Sequence, residues 1–158
     1  MKFFTMLSSL VLASTMASAL GTVASVTVIA SIAIVKEYTL DETLAAIRMV
    51  ESGNDPSAVG DGGRAIGCYQ VWESYWKDAV EFSGLGGNYR DCFKPDYADR
   101  VVREYMKRYC TEKRLGRKPT WEDIARMHNG GPRAVWATGK KKENLDRYVA
   151  KVKAQLEK

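Results

Sequence analysis

Glu51 is the residue best placed by its spacing to do chemistry. Leu40, Leu44 and Ile47 recur at intervals of four and three, which sets them on one face of a helix. The next position on that face is residue 51, a glutamate. A carboxyl at the end of an apolar stripe is partly desolvated, and desolvation disfavours its charged form. A carboxyl that keeps its proton near neutrality is what general acid catalysis requires. Spacing alone favours a plainer reading, a glutamate fraying into solvent at a helix end. Asn129 precedes Gly130-Gly131-Pro132, a turn on which backbone and side-chain amides can face a ligand; asparagine also caps helices there. Asp61 lies in Gly60-Asp61-Gly62-Gly63, and Asp-Gly is a strong turn signal. The one histidine, His128, and the three cysteines lack the paired close spacing of a zinc site. No metal or organic cofactor is implied.

The elements that must position these residues read as mostly helical. A first helix runs from Leu40, with Asp41 in its first turn, and is stopped by Ser52-Gly53-Asn54-Asp55-Pro56. A glycine-rich turn region at 59–66 leads to a short extended or irregular piece at 67–71. Residues 73–82 read as a short helix and 83–89 as a glycine-rich loop. Pro95 fits the first turn of another helix. On it Tyr97, Val101, Tyr105 and Tyr109 recur every four residues, with Ala98, Val102 and Met106 beside them, a stripe read as core. Thr120-Trp121-Glu122-Asp123 is a capping box opening a helix to His128. Leu145, Tyr148, Val149, Val152 and Leu156 mark a final amphipathic helix. There is no internal repeat. The expected fold class is mainly α, an α+β domain with a small central loop or hairpin region.

Length and charge narrow the partners. The 158 residues suit one folded domain. Residues 1–35 carry a single charge, Lys2, and the rest holds the other 23 Lys and Arg against all 19 Asp and Glu. This modest positive balance favours weak attraction to anionic bacterial surfaces. It is too dispersed for nucleic acid, since the longest basic run is Lys140-Lys141-Lys142. A basic start, an apolar run to Leu12 and the small residues Ala17-Ser18-Ala19 read as a signal peptide over 1–19. An apolar lead-in of unassigned role follows at 20–36, then the folded domain at 37–158. The product is expected to be secreted and monomeric. The alternative is a membrane anchor through residues 3–35. Secretion permits disulfides, and a Cys68–Cys92 bridge would tie the central loop to the segment after the next helix.

Read in order, the motifs form a set: Ile47-Arg48-Met49-Val50-Glu51-Ser52-Gly53, then Gly60 to Val71 with Gly67-Cys68-Tyr69-Gln70, then Tyr75-Trp76, Tyr105 to Tyr109, and Ala125-Arg126-Met127-His128-Asn129-Gly130-Gly131-Pro132. This set resembles the invertebrate-type lysozymes, and less closely the goose-type lysozymes and bacterial lytic transglycosylases, over roughly Leu40 to Val152. The resemblance implies a lysozyme-like fold and cleavage of the β-1,4 bonds of bacterial peptidoglycan, for defence or digestion. Glu51 then matches the catalytic glutamate that protonates the glycosidic oxygen, and Asp61 falls close to the second carboxylate. Tyr69 and Gln70 would line the cleft. His128 stands where invertebrate-type enzymes carry histidine and transglycosylases commonly tyrosine. With Asn129 and Gly130 it would meet the sugar. Of Trp72, Tyr75 and Trp76, no more than one is expected to reach substrate. If Asp61 is a turn residue only, substrate-assisted transglycosylase chemistry leaving an anhydro sugar is the alternative. A non-catalytic peptidoglycan-binding protein and a membrane-active killer are the readings from other classes. One departure stands out: invertebrate-type lysozymes are rich in cysteine and this chain has three. A domain of this size can bury enough apolar surface to need fewer bridges.

Overall fold

The first helix, α1 (Leu40–Ser52), begins where Thr39 and Glu42 cap each other's backbone N–H groups. It ends where Gly53 takes up left-handed backbone and donates to the Arg48 and Met49 carbonyls. Leu44 and Ile47 on its apolar stripe are fully buried. This computed structural model describes residues 36–158. The expected signal peptide and the uncharged run to residue 35 lie outside the described residues.

The central region is more ordered than the expected loop or hairpin. Three two-residue strands, β1 (Val59–Gly60), β2 (Ala65–Ile66) and β3 (Val71–Trp72), form an antiparallel sheet in that order. Val59 pairs with Ile66, and Ala65 with Trp72. Asp61, Gly62 and Gly63 all take positive φ in the turn between β1 and β2. The Gln70 side-chain oxygen lies against Gly60, in the space a Cβ there would occupy, so a larger residue would push Gln70 from its place. Ser52 ties α1 to this sheet: its hydroxyl donates to the Cys68 carbonyl at 2.9 Å and accepts from the Asp55 N–H.

Helix α2 (Glu73–Ser83) packs on α3 (Pro95–Tyr109), whose Tyr97, Ala98, Val101, Val102, Tyr105 and Met106 are buried as the stripe predicts. Three short elements went unread in the sequence, one of them a 3-10 turn at Ala134–Trp136. Tyr89–Phe93 forms a 3-10 helix, and α4 (Glu112–Leu115) is a single turn capped by Thr111 and closed by left-handed Gly116. Helix α5 (Trp121–Gly130) opens with the predicted Thr120–Asp123 capping box. The last helix, α6 (Gly139–Leu156), buries Leu145, Tyr148 and Val152 and packs against both α1 and α5. That double contact brings the end of α1, the end of α5 and the middle of α6 to one place. Among the described residues, no helix is long and apolar enough to cross a membrane.

Candidate active site

Glu51 closes the last turn of α1 at the floor of an open groove of about 460 Å³. Its side chain is 17% exposed. Asp61, Gln70 and Trp72 come to this groove from the small sheet, Tyr75 and Asp78 from α2, and His128 to Pro132 from the end of α5. Residues over 80 positions apart in sequence therefore face one cleft. Its position answers the question that spacing left open: the helix-end glutamate is sheltered rather than frayed into solvent.

Three helices supply the Glu51 surroundings. The Tyr148 hydroxyl, from α6, donates to Glu51 Oε1 at 2.6 Å. His128 Nε2, from α5, stands 3.5 Å from the same oxygen. That nitrogen also donates to the Tyr69 carbonyl at 3.1 Å, which assigns the ring proton to Nε2 and leaves Nδ1 to accept from the Tyr75 hydroxyl of α2 at 3.4 Å. Burial holds the His128 pKa below its ordinary value, against the opposite pull of Glu51 and of the Tyr69 carbonyl. The ring is therefore neutral near pH 7, and its approach to Glu51 is a polar contact rather than an ion pair. Burial first, then the Glu51 charge, pushes the Tyr148 phenol far up, so it stays a donor. Tyr75 is likewise held protonated, chiefly by burial, while its ring stacks on Tyr105 at 3.6 Å.

Asp61 has a different setting. It is exposed, on the turn between β1 and β2, and its Oδ2 accepts from the Trp72 indole N–H at 3.1 Å. The Arg64 guanidinium lies 4.7 Å over the Trp72 ring, and its Nε donates to the Asp61 carbonyl at 3.0 Å. Asp61 and Gln70 both take φ of +48°, and both line the groove. Left-handed backbone at a non-glycine residue costs of order 1–3 kcal/mol and gathers at functional sites.

Comparison with known proteins places the chain in a family. A model of the Destabilase family matches residues 41–153. The chain belongs to the Destabilase family, that of the invertebrate-type lysozymes. It is 33% identical over 109 residues to "Lysozyme 1" of Crassostrea virginica, a match covering 61% of this chain and 54% of that protein. It is 37% identical over 93 residues to "Lysozyme" of Meretrix lusoria, covering 57% and 72%. Against "Lysozyme" of Magallana gigas it is 34% identical over 114 residues, covering 69% and 79%. The chain thus spans about half the length of the Crassostrea virginica relative and more of the other two. The helical domain with its small antiparallel sheet is a lysozyme-like α+β fold.

Within this Destabilase-family site, Glu51, Asp61, Gln70, Tyr75, His128, Asn129 and Gly130 all line the groove. Tyr69 does not. Its side chain is fully buried and its hydroxyl donates to Asp99 at 2.7 Å on the α3 side, so only its carbonyl serves the site, by fixing His128. Of the three aromatics, Trp72 and Tyr75 both line the groove. Trp76 turns away and donates to the Tyr97 hydroxyl at 3.0 Å. The bridge expected between Cys68 and Cys92 is not part of this structure: both are fully buried free thiols. Burial pushes Cys68 upward and Cys92 up to about 12, so neither is the reactive thiolate, and both pack as small apolar core side chains. The sequence reading missed Tyr148 as a partner of Glu51 and Asp78 as a lining residue. Tyr148 was legible only as one more apolar position on α6. Among the described residues, no three His, Cys, Asp or Glu side chains converge as metal ligands.

Proposed function

We propose that the protein is a lysozyme-type glycosidase that cleaves the β-1,4 bonds between N-acetylmuramic acid and N-acetylglucosamine in bacterial peptidoglycan. The single observation that carries this reading is the sheltered Glu51 carboxyl at the floor of a groove whose walls hold Asp61, Gln70 and Asn129. Glu51 gives its proton to the leaving glycosidic oxygen. Asp61, exposed across the same groove, faces the positive charge that develops on the sugar ring. Asn129 and Gly130, on the turn after α5, offer amide groups to the sugar's N-acetyl and hydroxyl groups. Trp72, 40% exposed, offers a face on which a ring can stack. The protein acts as a single chain outside the cell that makes it, where the chain's modest positive charge suits an anionic wall. Its use is antibacterial defence or digestion of bacteria.

Mass spectrometry of purified peptidoglycan digested by the protein tests this reading. Fragments that end in a hydrolysed, reducing N-acetylmuramic acid are the expected product. Anhydro ends would make it a transglycosylase, with the substrate's own N-acetyl group in the role given to Asp61. Retention on the wall with no fragments released would make it a binding protein.

A further inference from the structure

A general acid must present its proton along one direction, and a glutamate at a helix end has three side-chain torsions to fix before it can. Those torsions must be fixed by groups that reach the carboxyl. We propose that Tyr148, with His128 beside it, is the positioning residue that engages Oε1 of Glu51 and so commits Oε2 to carry the proton to the sugar. The proposal rests on Glu51 being the acid.

Both groups meet one oxygen. The Tyr148 hydroxyl lies 2.6 Å from Oε1 and His128 Nε2 lies 3.5 Å from it. Among the described residues, the polar contacts recorded for the Glu51 carboxyl all fall on Oε1. A carboxyl that accepts a hydrogen bond on one oxygen carries its proton on the other. Tyr148 is suited to this task by its own placement. It is 8% exposed, on a helix packed against both α1 and α5. Its hydroxyl is therefore held by helix packing rather than by a loop, and the orientation of Glu51 is set before substrate arrives. The other groups facing Glu51 are the neutral His128 of α5, the protonated Tyr75 of α2, and Asp61 and Asp78 on the groove walls. Tyr148 is thus the nearest donor to Glu51.

Tyr148→Phe keeps the ring and its packing and removes the hydroxyl. On soluble peptidoglycan oligomers, kcat is expected to fall roughly ten- to a hundredfold with KM within about twofold. A donor to a carboxyl favours its charged form, so losing it also moves the alkaline limb of the pH–rate profile to higher pH. A ring-fluorinated tyrosine at position 148 is a more acidic donor of nearly the same shape. It should keep the rate and move that limb to lower pH. Wild-type kcat with an unshifted limb in Tyr148→Phe overturns the proposal. If Tyr148→Phe does not fold, an unshifted limb in the fluorinated protein overturns it instead. Glu51→Gln run alongside separates the two levels of the argument: an inactive Glu51→Gln leaves Glu51 as the acid whatever Tyr148 does. A Glu51→Gln protein with wild-type turnover removes the acid and the proposal together.

Discussion

The two carboxylates of the groove are held in opposite ways. Glu51 is sheltered, and its contacts come from α5 and α6, more than 75 residues away in sequence. Asp61 is exposed, and the groups that hold it are local: Arg64 on the same turn and Trp72 on β3 of the same small sheet. A group that must keep and deliver a proton is built into the meeting point of three helices. A group proposed to face a developing positive charge sits in water at the tip of a glycine turn. On the proposed mechanism one fold supplies two carboxylates with two roles, one through long-range packing and one through local turn geometry.

The contrast can be broken most sharply at its buried end. Glu51→Gln keeps the shape of the side chain, so the protein should fold, while turnover of peptidoglycan falls by about 10²–10⁴, the worth of a positioned general acid. Asp61→Asn should cost about a hundredfold, since it removes one electrostatic stabiliser and can still accept from Trp72. An unchanged rate there, with anhydro products, would move its role to the substrate. Trp72→Phe removes the indole donor to Asp61 and narrows the aromatic face offered to the sugar and to Arg64. It should lower kcat/KM by about three- to tenfold and shift stability by less than about 0.5 kcal/mol, as suits an exposed position.

The smallest effect separates the two regions by pH. Burial, outweighing the opposite pulls of Glu51 and the Tyr69 carbonyl, depresses the His128 pKa below its ordinary value of 6.5. A depressed group contributes stability that is fully present above the unfolded-state value and is lost as pH falls through the folded one. Melting temperature should therefore drop on acidification below about pH 6.5 in the wild type and drop less in His128→Gln. Asp61→Asn should follow the wild type over that window. A His128→Gln curve parallel to the wild type would show that the ring is not held neutral by its burial.

Much of this arrangement is legible in the sequence where a local period carries it. The Leu40, Leu44, Ile47 stripe runs directly to Glu51, and the same helical period marks the buried face of α3. The Thr120–Asp123 cap announces α5, which ends at the Asn129 turn. What period cannot carry is direction and partner. Tyr69 and Gln70 are adjacent, yet a turn through Gly67 and a left-handed Gln70 send one side chain into the core and leave the other on the groove. Tyr148 reads as a core position of an amphipathic helix, and nothing near it in sequence says that its hydroxyl meets a carboxylate 97 residues away. Trp72 reads as a possible sugar platform, whereas its indole N–H bond to Asp61 depends on the register of a two-residue strand.

The central claim, that Glu51 delivers a proton to the leaving group, is tested most directly by changing how much the leaving group needs one. Turnover of Glu51→Gln would be measured on a peptidoglycan-derived oligosaccharide and on the same sugar carrying a dinitrophenyl leaving group, which departs without protonation. The account predicts near-complete loss on the first and turnover close to wild type on the second. Equal loss on both, or no loss on either, would contradict it.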